Sequence, residues 1–257
     1  ESKQPERKYL LKENLYENVP SILKFAGSDD SLLKKLGITF DNPKPVDFAK
    51  KIISYFTNKD DTVLDFFAGS GTTGHAALKF SEAEQRNFIL IQLPEPVGNG
   101  KVISDITKER LSKVENVDKR GFKSFKLDET NIRPWDADFD NLELVLQQAA
   151  DSIKADRSSE DVLYEIFLKY GYDLTTPVDT KAVNGKKVFI VGAGALIVCL
   201  DDEITSEVVE GLAKLKEELD PETTQVVFKD AGFADSNVKA NAIQILKQAG
   251  IDDVKSI

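Results

Sequence analysis

The 257 residues hold 34 Lys and Arg against 44 Asp and Glu, a net charge of −10, and 41% are hydrophobic. The longest apolar runs, Phe88–Ile91 and Ala195–Leu200, fall far short of the roughly 20 residues of a membrane-spanning helix, and the charged N-terminus is unlike a secretory signal. A soluble, cytoplasmic globular protein of two domains is the expectation.

Residues 8 to 40 hold short amphipathic pieces separated by turn residues and lead into the Pro-rich stretch Asp41–Pro45. From Val46, the apolar residues Phe48, Ala49, Ile52, Ile53 and Phe56 recur at helical spacing, with Asp47 favouring the positive end of the helix. Val63–Phe67 reads as a buried parallel strand broken by the turn Gly69-Ser70-Gly71, Thr72–Phe80 as a helix, and Asn87–Leu93 as a second strand stopped by Pro94 and Pro96. This is a βαβ unit, and its strand should lie centrally in a largely parallel sheet. Asp105–Val117 reads as a further helix and Gly121–Leu127 alternates like a half-buried strand. The Asp- and Asn-rich stretch from 130 to 140, with Pro134 and Trp135, marks a junction near 136, so the domains are 1–135 and 136–257. Beyond it the pattern predicts helices over 141–154, 158–170, 206–218 and 235–248, with strands over 187–191, 195–200 and 225–229. Gly192-Ala193-Gly194 reads as a tight hairpin turn, because a strand follows it.

Charge divides unevenly along this plan. Residues 1–135 carry 22 Lys and Arg against 20 Asp and Glu, whereas 136–257 carry 12 against 24. The second half, at −12, repels phosphate and suits a protein partner or plain solubility; the first can lie beside a nucleic acid. The single cysteine, Cys199, sits in an apolar run and reads as a small buried residue. His75, the only histidine, is expected to pack or face solvent.

Gly69, Gly71 and Gly74 form Gly-x-Gly-x-x-Gly between a strand and a helix, a context that suits either a dinucleotide or S-adenosylmethionine. A Walker-type phosphate loop would need a lysine ahead of Thr72 or Thr73, and there is none. A carboxylate at the strand end, Asp65, can take a charged amino group. Thr72 and Thr73 can hydrogen-bond a ligand or cap their own helix.

The string Asp65-Phe66-Phe67-Ala68-Gly69-Ser70-Gly71-Thr72-Thr73, with Asn42-Pro43-Lys44-Pro45 upstream, resembles the cofactor motifs of amino-methylating DNA methyltransferases. Phe88–Glu95, Ile106–Arg110, Asp29–Gly37 and Gln244–Ile251 extend the likeness to the modification subunits of type III restriction-modification systems. The resemblance implies a Rossmann-like α/β methyltransferase fold, present in part, followed by a smaller α/β domain. It implies that Asp65 to Gly71 wrap the methionine and ribose portions of S-adenosylmethionine and that Asn42, Lys44 and Pro45 close over it. Gln92 stands where many methyltransferases carry a ribose-binding Glu; it can still hydrogen-bond a hydroxyl, and Glu95 is the alternative. The implied partners are DNA, a second modification subunit and the restriction subunit.

Adenine-N6 methylation in the resembling families uses Asp-Pro-Pro-Tyr or a close variant to hold the extruded base. No Asp, Asn or Ser followed by Pro-Pro and an aromatic residue occurs in the sequence. No catalytic or metal-binding residue is therefore assigned, and the chain is expected to be the C-terminal, donor-binding part of such an enzyme, inactive alone. Two other readings compete. A non-catalytic binding or regulatory protein on a methyltransferase-like fold fits every residue, while a nicotinamide-dependent oxidoreductase fits the glycine motif alone and lacks an acid closing its second strand.

Overall fold

The computed structural model describes residues 19–25, 27–98, 100–114, 120–132 and 153–257. The chain divides into two compact units, Glu1–Phe125 and Lys126–Ile257, both mixing helices and strands. The junction expected near 136 and most of the helix expected over 141–154 lie outside the described residues. At the end of that stretch Ile153 is extended and bridges to Ile132.

The first unit runs α1 (Asp30–Lys35), α2 (Val46–Phe56), β1 (Thr62–Asp65), α3 (Thr72–Leu78), β2 (Asn87–Leu90), a short antiparallel pair β3 (Pro96–Gly98) and β4 (Lys101–Val102), and α4 (Ile103–Ser112). Pro45 is extended and leads directly into α2, whose first free N–H, on Val46, is taken by the Asp29 carboxylate at 2.7 Å. The apolar stripe of α2 then buries Val46 and Ile53 against Ala76 and Phe80. β1 and β2 pair in parallel, Thr62 opposite Asn87 through Asp65 opposite Leu90. One face of this pair is half-buried, with Phe88 and Leu90 packed on Leu78, Leu111 and Val114.

The other face is open. Leu64 and Ile89, followed by Phe66, Ile91 and Leu93, are all exposed. Among the described residues β1 pairs only with β2, so the larger parallel sheet in which it is expected to lie centrally is not seen among them. Gly121–Leu127 likewise departs from expectation: it has no regular secondary structure and joins no ladder among the described residues, and of its apolar residues only Phe122 packs into the Leu78 cluster. Alternation reports a half-buried face; it does not supply a hydrogen-bonding neighbour.

The second unit is a three-layer α/β structure. α5 (Ser159–Tyr170) opens on a capping box in which Ser158 accepts from the Asp161 N–H. β5 (Val178–Val183), β6 (Lys186–Val191), β7 (Leu196–Cys199), β8 (Gln225–Phe228) and β9 (Asp253–Ser256) form one sheet in that order, antiparallel from β5 to β7 and parallel from β7 to β9. α6 (Ser206–Leu219) and α7 (Ser236–Gln248) cover one face, on Ile197, Cys199, Val226 and Phe228, and α5 covers the other, on Phe189, Leu196 and Val198. Burial from both sides explains why β7 is an unbroken apolar run. Gly192–Gly194 turns the chain between the antiparallel strands β6 and β7. Burial pushes the Cys199 thiol up to about 11, the state of a packed side chain rather than a nucleophile. Among the described residues no helix is long and apolar enough to cross a membrane.

Candidate cofactor site

The turn between β1 and α3 is fixed by hydrogen bonds from every side. Asp65, at the carboxyl end of β1, accepts the Phe67 N–H at 3.0 Å through one oxygen and the Thr73 hydroxyl at 2.6 Å through the other. The Gly69 N–H donates to Gln92 Oε1 at 2.7 Å, and the Gly69 carbonyl accepts the Thr107 hydroxyl of α4 at 2.6 Å. Gly71 caps α3 with φ +80°, a left-handed conformation that glycine alone adopts without cost, and a Cβ there would lie 3.0 Å from Thr107 Cγ2. Gly74 answers a different need. Its φ is ordinary, but a Cβ would lie 2.8 Å from Leu90 Cδ1 and 3.0 Å from Leu111 Cδ2, so its bare backbone lets α3 settle onto β2 and α4.

Thr72 and Thr73 do not cap α3. Thr73 donates to Asp65, and the buried Thr72 hydroxyl donates to the Lys44 carbonyl at 3.3 Å. That bond joins the glycine turn to the second expected segment. Asn42 turns the chain there with φ +53°, Pro43 is buried, and Lys44 is exposed. Asn42, Lys44 and Pro45 thus lie on a segment fastened to the turn formed by Ala68, Gly69, Ser70 and Gly71. Phe66 and Phe67 stand out from it, Phe67 with 88% of its surface exposed.

Gln92 has a local task that sequence reasoning did not foresee. Its amide oxygen holds Gly69 and its amide nitrogen donates to the Leu93 carbonyl at 3.0 Å, so both polar ends shape the turn. Glu95 uses its backbone, accepting the Ile103 N–H at 2.9 Å.

The side chain that sequence reasoning missed is Arg110, fully buried on α4. Its Nη1 donates to Ser70 Oγ at 2.8 Å and Thr72 Oγ1 at 3.0 Å, its Nε to His75 Nδ1 at 3.2 Å, and its Nη2 to Asp29 at 3.3 Å. The one available signal is positional: Arg110 follows Ile103 and Ile106 at helical spacing, on the stripe that faces inward. His75 is buried, and burial first, then the Arg110 and Lys79 charges, lower its pKa from 6.5 to about 4. As an acceptor at Nδ1, His75 is the neutral Nε2–H tautomer, engaged in packing as expected.

A family model for DNA methylases, covering N6 and N4 amino-methylating enzymes, matches residues 3–96. The chain is also similar to three type III restriction-modification Mod subunits. It is 42% identical to StyLTI Mod of Salmonella typhimurium over 85 residues, 29% of this chain and 13% of that protein. It is 29% identical to EcoP15I Mod of Escherichia coli over 209 residues, and 30% identical to EcoPI Mod of Escherichia phage P1 over 215. These two alignments take in 76% of this chain and 31% and 32% of the relatives, so the chain matches about a third of their length.

Proposed function

Because the chain belongs with the modification subunits of type III restriction-modification systems, we propose that it supplies the S-adenosylmethionine site of a DNA adenine-N6 methyltransferase. The observation that carries this reading is the fastening of the Asn42–Pro45 segment to the Asp65–Thr73 turn, through Thr72 and Lys44. Two backbone segments fastened together in this way can line an elongated ligand, and the carboxylate at the strand end can attract its ammonium group. Asp65, Phe66, Phe67, Ala68, Gly69, Ser70, Gly71 and Thr72 would wrap the methionine and ribose portions, with Asn42, Lys44 and Pro45 opposite. Asp65 already holds two internal hydrogen bonds, yet a carboxylate has about four acceptor positions and can take an ammonium as well. Gln92 acts by holding Gly69, which leaves its direct role toward ribose the weakest of the set.

In this proposal the adenine-binding motif and the target-reading region belong to a more N-terminal part of the enzyme, this chain being the C-terminal part of a Rossmann-like methyltransferase domain and the domain after it. The open face of Leu64, Phe66, Ile89, Ile91 and Leu93 supports that reading, since a contiguous apolar strand face calls for a cover. The oxidoreductase alternative is disfavoured by Gln92, which lacks the charge a dinucleotide ribose site would use. Calorimetry separates the two: S-adenosylhomocysteine should bind one to one and NAD should not, and tighter binding of NAD would overturn the assignment.

The acidic stretch 136–257 is proposed to serve protein partners, a second modification subunit and the restriction subunit, because its charge of −12 repels phosphate. Duplex DNA added at physiological salt should leave the amide resonances of α5 to α7 unmoved; shifts gathered there would contradict this assignment.

A further inference from the structure

Among the described residues of the first unit, the most buried charged side chain, Arg110, is bonded to the glycine turn. A guanidinium is costly to take out of water unless its N–H groups are satisfied, and an apolar residue would fill the same space at less desolvation cost. Arg110 does what an apolar residue cannot: it fixes hydrogen-bond acceptors in three separate places. Two N–H groups of one nitrogen go to Ser70 Oγ and Thr72 Oγ1 in the turn, Nε goes to His75 on α3, and Nη2 goes to Asp29 ahead of α1.

Asp29 carries the connection onward. The same carboxylate oxygen that accepts from Arg110 accepts the Val46 N–H at 2.7 Å, and the Asp29 N–H donates to the Pro43 carbonyl at 3.1 Å. The Asn42–Val46 segment is thus gripped at Pro43 and Val46 by a residue that Arg110 holds. A second route closes the loop, because Thr72 accepts from Arg110 and donates to the Lys44 carbonyl. The guanidinium reaches one segment directly and the other through a single intermediary.

We propose that Arg110 is a positioning residue for the methyl-donor site, coupling the Ser70–Thr72 turn to the Asn42–Val46 segment through Asp29 so that the two move and bind as one. This rests on the reading of these segments as the cofactor site, but the coupling itself can be tested without any ligand. Arg110 does not touch the donor; its effect on binding runs through the two segments.

Two measurements on the full chain test the proposal, using Arg110→Gln, Arg110→Lys and the near-isosteric Asp29→Asn. In amide hydrogen exchange without ligand, each variant should speed exchange at Val46 and at Gly69 and Gly71 together, by about tenfold, while β7 amides in the second unit keep the wild-type rate. Asp29→Asn is the sharper arm, since Asp29 makes no hydrogen bond to Gly69 or Gly71. In calorimetry with S-adenosylhomocysteine, Arg110→Gln should weaken binding at least tenfold and Arg110→Lys should restore part of it. The single histidine gives a check on the contact: loss of the Arg110 charge should raise the His75 pKa from about 4. Faster exchange at Val46 with Gly69 and Gly71 unchanged in Asp29→Asn would overturn the coupling. Wild-type affinity in folded Arg110→Gln would overturn the positioning role. Absence of binding by the wild-type chain would sink the cofactor reading and leave the exchange result to decide the coupling.

Discussion

Given labelled S-adenosylmethionine and mixed-sequence duplex DNA, the chain alone should leave adenine unlabelled, and an added upstream fragment bearing Asp-Pro-Pro-Tyr and a recognition region should restore incorporation. The expected difference is the largest the account makes. Holding donor and acceptor in one reactive geometry can be worth effective molarities of about 10⁵–10⁸ M. A donor site on its own supplies none of that, because the exocyclic nitrogen of adenine is a weak nucleophile whose lone pair is delocalised into the ring. The base must also be drawn out of the duplex and held, and no residue assigned in this chain does so. Labelling of adenine by the chain alone, abolished by Asp65→Ala, would show that another group replaces the missing motif.

Gly74→Val is expected to cost the first unit about 1–3 kcal/mol and to weaken donor binding with it. The first substituent atom would meet Leu90 Cδ1 at 2.8 Å and Leu111 Cδ2 at 3.0 Å, so α3 must lift from β2 and α4. The clusters beneath it are small and offer little room for repacking. Lifting α3 also draws Thr72, Thr73 and His75 away from Lys44, Asp65 and Arg110, which joins stability to the site. Gly71→Ala should be milder in packing but direct in effect, because φ +80° is unfavourable for alanine by about 1–2 kcal/mol. Denaturant unfolding should show the loss in a first-unit probe such as Tyr55, with β7 of the second unit unaffected; a Gly74→Val protein of wild-type stability would contradict the packing account.

The elements most legible in the sequence are those buried on both sides or bounded by glycine. β7 announces itself as Leu-Ile-Val-Cys because helices cover both its faces, and β1 because a glycine turn follows it directly. β5 was not foreseen: as an edge strand with Asp179, Thr180 and Lys181 facing water, it carries no apolar rhythm, and only pairing with β6 makes it a strand. The strand expected over 121–127 is missing for the complementary reason, having rhythm but no ladder among the described residues. The glycines are legible because they form one Gly-x-Gly-x-x-Gly string between a strand and a helix, whereas the Arg110 hub is not. Its partners Ser70, Thr72 and His75 lie 35 to 40 residues from it along the chain and Asp29 lies 81 away, and within Lys108-Glu109-Arg110 an arginine reads as a solvated charge. Gln92 and Asp65 stand out in the sequence as polar residues closing apolar strands, but the grip of Gln92 on Gly69 and of Asp65 on Thr73 depends on how β1, α3 and β2 come together, which no local pattern encodes.

The central claim is that Asn42–Pro45 and Asp65–Thr72 together form a methyl-donor site, and amide chemical-shift mapping tests it most directly. On titration with S-adenosylhomocysteine, the account predicts that the shifts gather in those two segments and in Gln92, and that Asp65→Ala abolishes them while equal concentrations of NAD leave them in place. Shifts concentrated in the second unit, or the same pattern produced by NAD and indifferent to Asp65→Ala, would contradict it.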